Sequence, residues 1–406
     1  MSSTTPQPAV QATNSENESP APPHISADAS TDGADYDKPK TPRSGSGWDG
    51  KLRVEKKEEM GEEKGKEKEK KIALVNPEAI SDPEYSDDEN VLPGESIEAD
   101  EDLLDDYPPD TTEIDCVHAR ISSIPSLRLE RFPLTTRLCL RQNSIPKIEA
   151  LSALPELLDL DLYDNLITSI KNLEAVPRLQ NLDLSFNKIK HIKNVAHLTD
   201  LRDLYFVQNK IAVIEGLEGL TKLRNLELAA NRIREMHGLE TLVGLEELWL
   251  GKNKITTIGS LAPLQNLKIL SIQSNRIRVI TNLESLPHLE ELYISHNALT
   301  ALSGLESCAG LRVLDISNNQ ISSLKGLEAL KELEEVWASY NLLADFQELD
   351  SVLGDKEKLN TVYFEGNPLQ LRAPALYRNK VRLALPRLMQ IDASEFFLYV
   401  FSFPPR

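Results

Sequence analysis

The 406-residue chain is poor in the residues that staple or anchor a protein. It has three cysteines, Cys116, Cys139 and Cys308, far apart in the sequence. A disulfide framework needs paired, clustered thiols, so a secreted, disulfide-sealed fold is excluded and an intracellular, reduced compartment is expected. No apolar run reaches the roughly 18 residues that a membrane span requires, and the opening MSSTTPQPAV lacks the apolar core of a secretory signal. A metal-ligating or nucleophilic constellation is also missing. The seven histidines (24, 118, 191, 197, 237, 288 and 296) are scattered, and there is no P-loop, HExxH or paired CxxC. No enzyme activity, cofactor or metal site is expected.

Charge is abundant but uneven. Residues 1–110 hold 28 Asp and Glu against 12 Lys and Arg, a net of −16, which leaves 36 against 33, or −3, for the remainder of a chain whose total is −19. The first part is rich in Pro, Ser and Thr, then becomes a mixed Lys/Glu run (51–71), and from 81 to 110 carries 13 acids and no Lys or Arg. Such composition buries too little apolar surface to offset chain entropy, so 1–110 is expected to be a disordered acidic tail. Ser86 in YSDDEN is followed by three acids, the setting that acid-directed kinases favour.

The rest of the chain is a repeat. Asparagines recur every 22 residues at 143, 165, 187, 209, 231, 253, 275, 297, 319 and 341. Around each, apolar residues stand eight, five and three places before and two, five, eight and eleven places after, as in Leu245, Leu248, Leu250, Ile255, Ile258, Leu261 and Leu264. This is the leucine-rich-repeat pattern, one short strand and one returning convex segment per coil. The fold class expected is therefore α/β: a solenoid of about twelve coils over 111–369 with a curved parallel sheet on its concave face. An irregular first coil has Ala119 near the asparagine position, and the last ends at Asn367 after a 26-residue spacing. The asparagine amides are expected to satisfy backbone groups at each turn, and His296, directly before its asparagine, is expected to be a turn residue.

Alternation along a strand leaves some positions facing outward from the core. The central one, four residues before each asparagine, reads Cys139, Asp161, Asp183, Tyr205, Glu227, Trp249, Ser271, Tyr293, Asp315, Trp337, Tyr363. Two residues earlier the row adds Asp159, Asp203, Glu247, Glu291 and Glu335. Two of the three tryptophans fall in one row, and exposed aromatics ringed by polar groups are the composition of an interaction hot spot. Rows of Asp and Glu repel phosphate, which disfavours nucleic acid and favours a protein partner with a basic patch.

The phrases LCLRQNSI, LDLYDNLI, LDLSFNKI, LWLGKNKIT, LYISHN and TVYFEGNPLQ, with YRNKVRLALPRLMQIDA, resemble the leucine-rich-repeat regulatory subunits of protein phosphatase 1 over residues 112–395. The resemblance implies a C-terminal cap (370–395) and a non-catalytic subunit that binds the phosphatase catalytic subunit on its concave face. Carried over by position, the contacts are Asp183, Tyr205, Glu227, Trp249, Asp315, Glu335, Trp337 and Tyr363. The chain departs at Tyr205 and Trp249, where the family more often carries phenylalanine, but keeps an aromatic. The resemblance further implies a nuclear and cytoplasmic protein with a part in mitosis and the cell cycle, and a ternary complex with a second inhibitor protein. The alternative is another intracellular leucine-rich-repeat adaptor, a ribonucleoprotein or axonemal motor component. Neither membrane nor nucleic acid is an expected partner, and residues 396–406 form an apolar end without an assigned role.

Overall fold

The computed structural model describes residues 103–259 and 261–395. The Pro/Ser-rich start, the Lys/Glu run, Ser86 and the apolar end 396–406 lie outside them. Each 22-residue coil contributes one strand of three residues. In chain order these are β1 (Glu113–Asp115), β2 (Arg137–Cys139), β3 (Asp159–Asp161), β4 (Asn181–Asp183), β5 (Asp203–Tyr205), β6 (Asn225–Glu227), β7 (Glu247–Trp249), β8 (Ile269–Ser271), β9 (Glu291–Tyr293), β10 (Val313–Asp315), β11 (Glu335–Trp337) and β12 (Thr361–Tyr363). They pair in parallel, each with its sequence neighbour, so the twelve expected coils are present in order.

The strands are short because in most of them only the central residue is committed to the core. Leu226, Leu248 and Leu270 are fully buried, while the residues on either side of Leu226 and of Leu248 are half-buried. Apolar residues from the convex return, such as Ile255, Ile258, Leu261 and Leu264, close the coil from the other side. The returns of the regular coils form turns in place of long helices, because 22 residues leave too little chain for one after the strand and its turn.

The asparagines do what their spacing predicts. Asn231 Nδ2 donates to the carbonyls of Phe206 (2.8 Å), Leu228 (3.1 Å) and Ala229 (3.2 Å), and its Oδ1 accepts from the Ile211 N–H (3.0 Å). One buried side chain thus satisfies both its own strand exit and the preceding coil, as buried polar groups must be satisfied. The residue before each asparagine is left-handed, His296 (φ 51°) among them, which makes it the turn residue expected. In the last coil that place is taken by Gly366 (φ 72°), where a Cβ would sit 2.5 Å from the Tyr340 ring.

The 26-residue spacing before Asn367 has a structural outcome. Its extra residues fold as α1 (Phe346–Leu353), capped by Asp345 accepting from the Gln347 N–H (2.8 Å) and burying Leu349, Val352 and Leu353. A short α2 (Pro368–Leu371) leads to α3 (Pro374–Ala384), which packs on α1 and buries Tyr377 and Val381. The sheet then continues, with β13 (Gln390–Ile391) parallel to β12 and β14 (Ser394–Glu395) turning back antiparallel.

The other end requires a correction. The acidic tail was expected to run to residue 110, but Leu104 is buried in the core, Tyr107 packs edge-on against Phe132, and Asp105 pairs with Arg131 (2.6 Å). The packed chain begins by residue 103. Counting charge over the segment conceals a Leu-Leu-x-x-Tyr cluster, which covers the otherwise open apolar edge of the first coil.

Candidate functional site

The central outward row forms a continuous stripe because the strands pair residue for residue: Glu227 faces Trp249, Trp249 faces Ser271, Asp315 faces Trp337, and Trp337 faces Tyr363. The rings do not stand apart. Trp249 and Tyr293, two coils from each other, stack with centroids 6.2 Å apart and planes 19° from parallel. They close over the small side chain of the intervening Ser271, which is fully buried. Tyr293 meets Trp337 at 6.1 Å, and Trp337 meets Tyr363 edge-on at 5.9 Å. Four rings therefore make one aromatic run across the C-terminal half of the face.

Each polar edge in this run is held by a residue on the same concave face. Trp249 Nε1 donates to Glu247 Oε2 (3.2 Å), Tyr293 Oη to Glu291 Oε2 (2.7 Å) and Trp337 Nε1 to Glu335 Oε2 (2.9 Å). The Tyr363 hydroxyl accepts from Gln390 Nε2 (2.5 Å), which ties the run to β13. Burial and the Glu291 hydrogen bond push the Tyr293 phenol well above its ordinary range, so it stays protonated and keeps donating. Rings fixed in this way lose little freedom when a partner covers them, the property that makes aromatics effective anchors.

The N-terminal half is acidic. Asp161 pairs with Arg141 (2.9 Å), which also lies 3.9 Å from Asp183. Burial, with repulsion from Asp161, raises the Asp183 carboxyl above the ordinary carboxylate range despite hydrogen bonds from Ser185. Burial and the nearby Asp183 do the same to Glu227. Tyr205 sits between these acids, its phenol pushed up to about 12 by burial and by Asp203 and Glu227, and its hydroxyl accepts from Asn225 Nδ2 (3.4 Å). The aspartates also shape the backbone. Asp161, Asp183 and Asp315 each accept from the N–H two residues on, of Tyr163 (3.0 Å), Ser185 (2.8 Å) and Ser317 (3.0 Å). One carboxylate oxygen is thereby engaged locally; in Asp161 the other is held by Arg141, whereas in Asp315 it makes no hydrogen bond among the described residues.

All eight residues carried over by resemblance lie on this face, but in two groups. Asp183, Tyr205 and Glu227 occupy neighbouring strands of the acidic half, whereas Trp249, Asp315, Glu335, Trp337 and Tyr363 belong to the aromatic half. Tyr293 was not among them, though it joins Trp249 to Trp337. Its signal was its place in the same row. A second aromatic group was also missed: Arg141 lies over the Tyr163 ring at 4.1 Å, and Tyr163 packs on Phe186 at 4.7 Å, along the strand exits. Among the described residues, no three His, Cys, Asp or Glu gather as a metal site would require, and no helix is long and apolar enough to cross a membrane.

Comparison with known proteins places this geometry. Residues 180–274 match the family model described as "Leucine-rich repeat", and residues 265–307 and 310–351 match "Leucine Rich repeats (2 copies)". The chain is 56% identical over 71 residues to protein phosphatase 1 regulatory subunit SDS22 of Schizosaccharomyces pombe, covering 17% of this chain and 20% of the relative. It is 48% identical over 70 residues to the Saccharomyces cerevisiae protein of the same name, covering 17% and 21%. The matches thus span about a fifth of those relatives' length, and both relatives are named as regulatory subunits, not as enzymes. Among solved structures, an internalin (inlF) of Listeria monocytogenes superposes with a TM-score of 0.57 at 24% identity, over 73% of this chain and 89% of that one. A leucine-rich-repeat protein of Leptospira interrogans gives 0.53 at 25% identity, over 65% and 74%. The structural neighbours bear on the fold alone. The chain thus has a leucine-rich-repeat solenoid fold and is similar, over about a sixth of its length, to the protein phosphatase 1 regulatory subunits named SDS22.

Proposed function

We propose that the chain is a non-catalytic regulatory subunit whose concave face binds the protein phosphatase 1 catalytic subunit. The observation that carries this reading is the aromatic run from Trp249 to Tyr363, held by its glutamates on a face rich in acids. Such a face offers a partner apolar anchors at one end and an attractive field for basic residues at the other. The phosphatase is the partner because the curated relatives carry it in their names. The same reading includes a ternary complex with a second inhibitor protein, a nuclear and cytoplasmic distribution and a part in mitosis.

The test is direct. Purified full-length chain mixed with recombinant catalytic subunit should elute as a one-to-one complex in size-exclusion chromatography with light scattering. Two separate peaks at micromolar concentrations would overturn the assignment. The stoichiometric partner recovered from a lysate would then show whether the chain serves a ribonucleoprotein or an axonemal motor. Adding the inhibitor to the complex, and imaging a tagged chain through the cell cycle, test the ternary and cellular parts separately.

A further inference from the structure

The residue just before each strand forms a second row, on the flank where the chain enters the sheet. It is one unbroken backbone ladder. The N–H groups of Thr136, Leu158, Gln180, Arg202, Arg224, Glu246 and Lys268 each donate to the carbonyl of the row's preceding member, beginning at Thr112, over 2.7–2.8 Å. Further along, charge in this row is balanced: Arg312 lies between Glu290 (3.4 Å) and Glu334 (2.9 Å). In the middle it is not. A flank groove of about 420 Å3 is lined by Arg202, Lys222, Arg224 and Lys268, with Glu246 as its single acid. Glu246 takes Lys268 (2.7 Å) and lies 3.8 Å from Arg224, and Asp200 takes Lys222 (2.6 Å), while Arg202 makes no ion pair among the described residues.

A cationic groove is out of character for a chain of net charge −19, and an anionic match is close at hand. Residues 81–102 contain ten Asp and Glu and no Lys or Arg. They lead directly into Leu104, which is buried at the first coil, and the chain then enters the ladder at Thr112, on the same flank as the groove. Arg202 is four ladder steps from Thr112, about 19 Å at roughly 4.8 Å per parallel strand. Counted back from Leu103, six extended residues span about 20 Å, so Glu95 and the acids before it reach that distance, with residues 96–102 as the tether.

We propose that this flank groove holds the chain's own acidic segment, residues 81–102. Tethering raises the local concentration of the acids to roughly the millimolar range, so weak charge-assisted contacts suffice. The acids of the concave face repel the same segment, and docking on the flank keeps it clear of that face.

Zero-length carbodiimide cross-linking of the full-length chain, read by mass spectrometry, tests the proposal. At low salt, carboxylates of 81–102 should link mainly to Lys222 and Lys268, and little to Lys147 or Lys188 beyond the strand exits. Raising salt to about 0.5 M should reduce those links several-fold, since the contact is charged and exposed. The double variant R202E/R224E should do the same. R202Q/R224Q, with circular dichroism of both variants, separates loss of charge from loss of fold. An equal mixture of 15N-labelled and unlabelled chains should yield links within one isotope only. Links spread evenly over all lysines, links between isotopes, or links unchanged in both folded variants would each overturn the proposal.

Discussion

From β3 to β6 the central concave positions carry Asp161, Asp183, Tyr205 and Glu227, while from β7 to β12 they carry Trp249, Ser271, Tyr293, Asp315, Trp337 and Tyr363. The backbone is the same in both halves, and so is the register. What differs is how neighbours treat one another. In the second half, rings two coils apart lean together over a small residue, and their contact area accumulates. In the first half, burial and the neighbouring Asp161 raise the proton affinity of Asp183, and Arg141 lies against both carboxylates. A solenoid thus presents two chemistries along one face without altering its coil. In the proposed complex the aromatic half sets how long the partner stays, and the acidic half how fast it arrives.

The sharpest way to break this comparison is Trp337→Ala. That ring touches both Tyr293 and Tyr363, so its loss divides the aromatic run. Affinity for the phosphatase catalytic subunit should fall by about 2 kcal/mol or more, roughly thirtyfold, through faster dissociation. Trp249→Ala should follow in the same direction. Surface plasmon resonance with circular dichroism as the folding control measures both, and parental affinity in two folded variants would sink the docking reading.

Asn231→Ala acts where the halves join, at the end of the β6 coil. It leaves the concave chemistry untouched but removes an amide that satisfies four backbone groups. Stability should drop by about 1 to 3 kcal/mol in urea denaturation. Because each coil supports its neighbours, hydrogen exchange should quicken in both halves. Exchange that changes only within the mutated coil would mean the halves are stabilised independently.

The acidic half predicts a smaller, kinetic effect. Asp183→Lys should slow association several-fold at low salt and flatten its salt dependence, with little change in dissociation rate. Acidity should mimic it. Burial raises the Asp183 and Glu227 carboxyls, so they take up protons at higher pH than ordinary carboxylates and lose negative charge first as pH falls. As pH falls from 7 toward the ordinary carboxylate range, the salt dependence of the association rate should therefore shrink before that of an unshifted acidic face would. A salt slope equally steep over that whole range would show that these two carboxylates do not steer.

The smallest effect is expected from His191→Ala. This side chain lies outside the concave rows and pairs with Glu215 (2.9 Å), largely exposed to water. Neither binding nor melting temperature should move measurably, since an exposed pair of this kind contributes little. A binding loss as large as that of Trp337→Ala would mean the partner also grips the convex side.

The residues that were legible are those bound to a period. Each asparagine, each inward leucine and each left-handed turn repeats every 22 residues, because every coil must meet the same packing and hydrogen-bonding demands. The misses lie where the period ends or where coils interact. Leu104 escaped notice among aspartates because it caps the array and does not repeat. Tyr293 stood in the correct row, yet its importance depends on a stack with Trp249, 44 residues away in sequence, across a third coil.

The sequence by itself determined the coil, the order of the twelve coil strands and which side chains point outward, because alternation and a fixed repeat length leave one way to bury the leucines; β13 and β14 lie beyond the repeat. Only the tertiary structure decided which outward side chains touch. Ring stacking over Ser271, the tie from Tyr363 to Gln390 and the excess of cations at Arg202 and Arg224 depend on inter-coil distance and rotamer. Those are set by how successive coils pack, and no single repeat encodes them.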